Sequence, residues 1–186
     1  MRRVLPGLLA AVMLSGVEAR TPTDEEMIWI VMIGMASNPE EVMEELRGSA
    51  ISEGAATRVR NYCKDALEQM SVFAKKYTAE LCALKGGKRG AIADQLEKMH
   101  KDEEALQANL VANLGVVLSA EEESEFRNWA LERQSSTSIF GENALLELAY
   151  QVRTGSVEAS PIVDRACEAL ESEKAMASGG SVSQLD

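Results

Sequence analysis

Glu97-Lys98-Met99-His100 is the stretch whose residue types and spacing come nearest to chemistry. A Glu and a His three positions apart on a helix project to one side and can present a carboxylate and an imidazole to one metal ion. This is the Glu-x-x-His element of helical di-iron and di-manganese centres. Such a centre needs the element twice, and His100 is the single histidine of the 186 residues. What remains is a metal or haem carrier using Glu97, His100 and Glu103, with a methionine as second haem ligand. Methionine more often fills gaps in a core, and a lone Glu and His pair is ordinarily a solvated surface feature. No metal and no cofactor is therefore the expectation.

Covalent chemistry finds less support. The chain has no Gly-x-Ser-x-Gly and no His-Glu-x-x-His, and one histidine would have to serve any Cys-His pair. Gly86-Gly87-Lys88-Arg89-Gly90 lacks the spacing and trailing Ser or Thr of a phosphate loop and reads as a hinge. The acidic groups at Glu40, Glu41, Glu44 and Glu45, at Asp102 to Glu104, and at Glu121 to Glu125 have none of the alternating Asp and central Gly of a calcium loop. They read as solvated faces. No catalytic residue is assigned, and the chain is not expected to be an enzyme.

Charge and export narrow the classes further. Arg2-Arg3, the apolar run Val4 to Leu14 and Val17-Glu18-Ala19 have the three-part form of a secretory signal, with cleavage after Ala19. Leu14-Ser15-Gly16-Val17 has Val where a lipidated Cys would stand, so no lipid anchor is expected. Losing Arg2, Arg3 and Glu18 leaves 17 basic against 29 acidic residues, a net charge of -12. Such a surface repels phosphate backbones and anionic lipid, so neither nucleic acid nor stable membrane insertion is expected, and cationic partners fit. The predicted location is secreted or periplasmic.

An exported chain with Cys63, Cys82 and Cys167 should form one disulfide and keep one thiol. Cys63 and Cys82 on one straight helix would stand about 28 Å apart, too far to bridge. Cys167 must choose between them. A helix break at Gln134 to Ser138 would set Cys167 beside Cys63; an uninterrupted helix would set it beside Cys82. The run of weak helix formers favours the break, and with it Cys63 and Cys167.

The elements that must position these residues are helical. Aromatic residues make up 4% of the chain, and Ala, Leu, Glu and Met abound. The expected fold is an all-α helical bundle built on a long antiparallel α-hairpin, about 55–85 and 90–118, with shorter packing helices. One arm carries Val59, Cys63, Ala66, Met70, Phe73 and Tyr77 in its seam. The other carries Ile92, Leu96, Met99, Glu103, Leu106, Leu110, Asn113 and Val117, so that Glu103 and Asn113 interrupt an apolar line. Thr23 with Glu26 and Ser119 with Glu122 have capping-box spacing, and Asn38-Pro39 and Ser160-Pro161 open two further helices. Met27 to Ala36 is apolar on every side, either core or a partner-binding patch centred on Trp29.

The domain plan is a signal peptide at 1–19, one α-helical domain at 20–176 and a disordered polar tail at 177–186. The function expected is binding to another protein, as an inhibitor, immunity protein, adaptor or chaperone. Partner-binding candidates are Trp29, Glu103 and Asn113.

Overall fold

The computed structural model describes residues 21–46, 49, 51–133 and 144–179, and among them it has seven α-helices, one 3₁₀ turn and no strand. The all-α expectation is met. The signal segment expected at 1–19 and the weak helix formers Gln134 to Ser138 lie outside the described residues.

Several helices begin where a local cap dictates. Helix α1 (Asp24–Ser37) opens on a complete capping box: Thr23 N–H donates to Glu26 Oε2 at 2.6 Å, and Glu26 N–H donates to Thr23 Oγ1 at 3.4 Å. The Ile-Trp-Ile-Val run inside it is therefore helix. Asn38 ends α1, its N–H donating to Gly34 O at 2.7 Å, and Pro39 starts α2 (Pro39–Leu46), where its missing N–H is not needed. Ser52 Oγ accepts from Ala55 N–H at 3.1 Å at the head of α3 (Glu53–Cys82).

Two glycines then turn the chain, for different reasons. Gly86 has φ 75°, a region costly for residues with a Cβ, and a Cβ on Gly87 would meet Leu84 O at 2.7 Å. Helix α4 (Arg89–Ala112) follows and tightens into a 3₁₀ turn (Asn113–Val116), so the α-helical arm ends short of the expected 118. Ser119 and Glu122 form the second capping box, at 2.9 and 3.3 Å, opening α5 (Ala120–Leu131). Helix α6 (Ala144–Thr154) ends at Gly155, φ 87°, whose N–H and that of Val157 close on Gln151 O. Helix α7 (Ser160–Gly179) runs past the expected boundary of the tail, and residues 180–186 lie outside the described set.

The helical region divides into two compact units, to both of which α3 and α4 contribute. The amino-terminal unit takes 21–71 and 102–133; the carboxy-terminal unit takes 72–101 and 144–179. In the first, Met27, Ile28, Met32 and Met35 of α1 meet Val59 and Cys63 of α3, Leu110 and Leu114 after them, and Phe126 and Trp129 of α5. The Phe126 and Trp129 rings lie 5.8 Å apart. Tyr62 Oη donates to Leu110 O at 2.7 Å, and Arg58 Nε donates to Val117 O at 2.8 Å.

In the second unit, Tyr77 and Leu81 of α3 meet Ile92 and Leu96 of α4, Leu148 and Val152 of α6, and Val163 and Ala166 of α7. Tyr77 is 0% exposed, yet its hydroxyl is satisfied by Lys98 Nζ, which donates at 2.7 Å. Gln95 Nε2 donates to Glu80 at 2.6 Å between the same two helices.

Two expectations are corrected here. The α4 seam drifts: Ile92, Leu96 and Met99 are buried as the pattern requires, but farther on Leu110, Leu114 and Leu118 are buried while Asn113 is exposed. An α-helix turns about 20° per heptad away from a 3.5-residue repeat, which accumulates to about 60° over three heptads. The 3₁₀ turn adds to this. The pairing of Cys63 with Cys167 is also overturned, since Cys82 bonds Cys167 across a Cα separation of 4.8 Å, and Cys63 is a free, buried thiol.

The reason lies in where α6 ends. Arg153 reaches Asp94 and Glu97, and Gly155 meets the Arg89 guanidinium, so α7 starts beside the Gly86-Gly87 turn. It then runs along α3 past Lys85, which pairs with Asp164 at 3.1 Å, to Cys82 and on to Lys75, which pairs with Glu173 at 3.5 Å. Helix α5 does stop at Leu131, but that stop does not bring α7 to the Cys63 end of α3.

Candidate functional site

Each residue with chemical potential has a definite setting. His100 is 7% exposed, not the surface residue of the expected pair, because the buried stripe of α4 widens at that point to take in Met99 and His100 together. Glu97 accepts from Arg153 Nη2 at 2.6 Å, and Asp94 accepts from the same nitrogen at 2.8 Å. Those bonds, Glu97 first, hold the Arg153 guanidinium above its ordinary pKa. Glu97 thus joins α4 to α6. Among the described residues no three His, Cys, Asp or Glu side chains come together to hold a metal ion. Glu97, His100 and Glu103 are not gathered into a site.

Glu103 is half-buried and accepts from Gln107 Nε2 at 3.4 Å; Lys76 lies 4.0 Å from Glu80 and over the Tyr77 ring. Asn113 is exposed, its amide donating to Asn109 Oδ1 at 2.7 Å. Cys63 is 1% exposed, and burial pushes its thiol up to about 12, which leaves almost no nucleophilic thiolate at neutral pH. Tyr62, beside it, is raised as well, by burial first and by Cys63 second.

Trp29 is half-buried. The six residues Met27, Ile28, Val31, Met32, Met35 and Ala36 are buried, and these fill the half of α1 that faces α2, α5 and the core. Trp29, Ile30, Ile33 and Gly34 occupy the other half, each partly open to solvent. A helix at the surface of a domain ordinarily carries charge there. Trp29 and Ile30 lean on the core with one edge.

Arginines carry the cross-links that the motif reading did not single out. Arg58 Nη2 donates to both Glu122 oxygens at 2.7 Å. Glu122 is held below the usual carboxylate range, by the Ser119 backbone N–H first and by Arg58 next. Arg127 spans Glu123 at 2.8 Å, Glu25 at 3.4 Å and the Val111 carbonyl at 3.2 Å. Arg133 stacks 3.8 Å from the Trp129 ring centre. The pairing of a given arginine with acids 50 or more positions away leaves no trace in spacing, which is why these contacts were not legible beforehand.

Comparison with known protein families, with curated proteins and with solved structures finds no match to this chain.

Proposed function

We propose that this chain is an exported, non-catalytic protein that acts by binding a cationic protein, as an inhibitor, immunity protein, adaptor or chaperone does. The observation that carries the reading is the fate of the basic side chains. Arg58, Arg127, Arg153, Lys75, Lys76 and Lys85 all lie against acids of the same chain. With 30 acidic residues against 19 basic ones, the chain as a whole is heavily negative. Exposed ion pairs of this kind stabilise a fold little, roughly 0–1 kcal/mol each. The excess of acid over base gives the chain a net charge of -11, a field that speeds encounter with a positive partner.

Two further facts support export. A disulfide joins Cys82 and Cys167, a bond that persists in oxidising compartments. No described helix is long and apolar enough to cross a membrane.

The test is capture on the immobilised full chain from the exported fraction of its own cells, followed by binding kinetics with whatever is retained. A basic protein whose association slows about tenfold or more between roughly 50 and 500 mM salt is expected. Salt-independent association, or a stoichiometric metal in the purified protein, would remove the reading.

A further inference from the structure

We infer that the outward stripe of α1, Trp29, Ile30, Ile33 and Gly34, is a docking surface for a basic amphipathic helix. The inference rests on the proposed reading of a cationic protein partner and adds where that partner sits and what shape it has.

Three observations converge. First, the stripe is apolar where solvent-facing positions ordinarily carry charge, and from Met27 to Ala36 the chain has no polar side chain at all. Trp29 and Ile33 stand one turn apart, as do Ile30 and Gly34, which is the spacing at which a helix lying along the stripe can insert its own residues at i, i+3, i+4 and i+7. Ile33 is half-buried and takes no part in the core beneath. Gly34, half-buried beside it, has no side chain to hold a partner off.

Second, charge frames the stripe with one sign. Residues 21–46 contain seven acids (Asp24, Glu25, Glu26, Glu40, Glu41, Glu44 and Glu45) and neither lysine nor arginine. Asp24 and Glu25 are exposed at its head, and Glu40 and Glu44 are exposed on α2, which lies against α1. An apolar strip with acidic ends complements a helix that has an apolar face and lysines or arginines around it.

Third, the same charges disfavour the other occupants. A second copy laid on this stripe would set acidic ends against acidic ends, and an anionic lipid surface would meet the same repulsion. Arg127 does not relieve this, being engaged by Glu123 and Glu25.

The experiment titrates the full chain with a helical peptide of leucine and lysine, leucines at a and d, and reads tryptophan fluorescence and calorimetry. Saturable binding is expected, weakened about tenfold or more by Ile33→Asp, as for loss of a central apolar anchor. Glu40→Lys combined with Glu44→Lys should weaken it about fivefold and flatten its salt dependence, while leaving every core residue in place. Circular dichroism and the unfolding midpoint establish that each variant is folded. Equal binding by Ile33→Asp and wild type would overturn the site while leaving the cationic-partner reading intact. No binding to the wild type would overturn both. Equal binding of a peptide with the same residues scrambled would show charge attraction without a docking face, and would also overturn the site. So would self-association of the wild type that Ile33→Asp abolishes, since the occupant would then be a second copy.

Discussion

The two units solve the same problem differently. The amino-terminal unit closes by packing: Phe126 and Trp129 sit with the methionines of α1, and its one cysteine, Cys63, stays unpaired. In the carboxy-terminal unit Tyr77 is the large buried aromatic, and alanines (Ala93, Ala149 and Ala166, each 0% exposed) bring α4, α6 and α7 close together. There the terminal helix is tied down by a bond between residues 85 positions apart. Among the described residues the amino-terminal core gathers twenty buried residues and the carboxy-terminal core eleven; in the smaller core a covalent link also limits the freedom of the unfolded chain.

The largest test of that contrast is Phe126→Ala. Removing a fully buried ring should cost about 3–5 kcal/mol. Both tryptophans, Trp29 and Trp129, lie in the amino-terminal unit, so denaturant unfolding followed by their fluorescence reports on that unit. Alkylation of Cys63 should accelerate in parallel, because its thiol reacts only when the unit opens. A loss below about 1 kcal/mol would mean that packing around Phe126 is not what holds this unit.

Next in size is the pair Cys82→Ser and Cys167→Ser, expected to cost about 2–4 kcal/mol. Amide exchange should quicken across 160–179 while the tryptophan transition stays in place. Should the tryptophan signal shift by the same amount, the two units would share one source of stability and the contrast would dissolve.

Tyr77→Phe removes the hydroxyl that takes the Lys98 bond and should cost about 1–2 kcal/mol, read from the exchange of α4 and α6 amides. An unchanged rate would show that Lys98 keeps its place through the ring face alone, over which it stands at 4.8 Å.

The smallest effect is expected at the α5 cap, where Ser119→Ala should cost about 1 kcal/mol at neutral pH. The Glu122 carboxyl is held low in the folded chain, so its contribution is present above the ordinary carboxylate range and is lost as pH falls through its depressed pKa. Ser119→Ala keeps the backbone N–H and Arg58 that hold Glu122 low, so both chains should lose that contribution in acid and the gap between them should persist. A gap that closes in acid would tie the hydroxyl's effect to the ionised Glu122 carboxylate and not to the Glu122 N–H that it accepts from.

Much of the fold was legible because it is local. Thr23 with Glu26 and Ser119 with Glu122 lie three positions apart, and both boxes form as their spacing requires. Of the α3 pattern, Val59, Cys63, Ala66 and Tyr77 are buried, and Met70 and Phe73 are half-buried. The candidate site was less so. The full apolarity of 27–36 marked α1, but which half faces outward depends on α2 and α5 arriving from elsewhere in the chain. His100 was read as exposed for the same reason, since a residue at the flank of a stripe is covered or bare according to its neighbours.

What the sequence by itself determined, then, is helix: where those opened by Thr23, Asn38-Pro39, Ser119 and Ser160-Pro161 begin, where Gly86 and Gly87 turn the chain, and the acidic excess of the whole. Those follow from contacts within about one turn and from simple counting. Only the tertiary structure decided that Cys167 meets Cys82, that the α4 seam passes through Leu114 and not Asn113, and that Trp29, Ile30 and Ile33 are left partly open to solvent. Each of these depends on the direction in which a distant helix returns. A single helix carries no record of that direction, because its own hydrogen bonds are satisfied whichever way its neighbour runs.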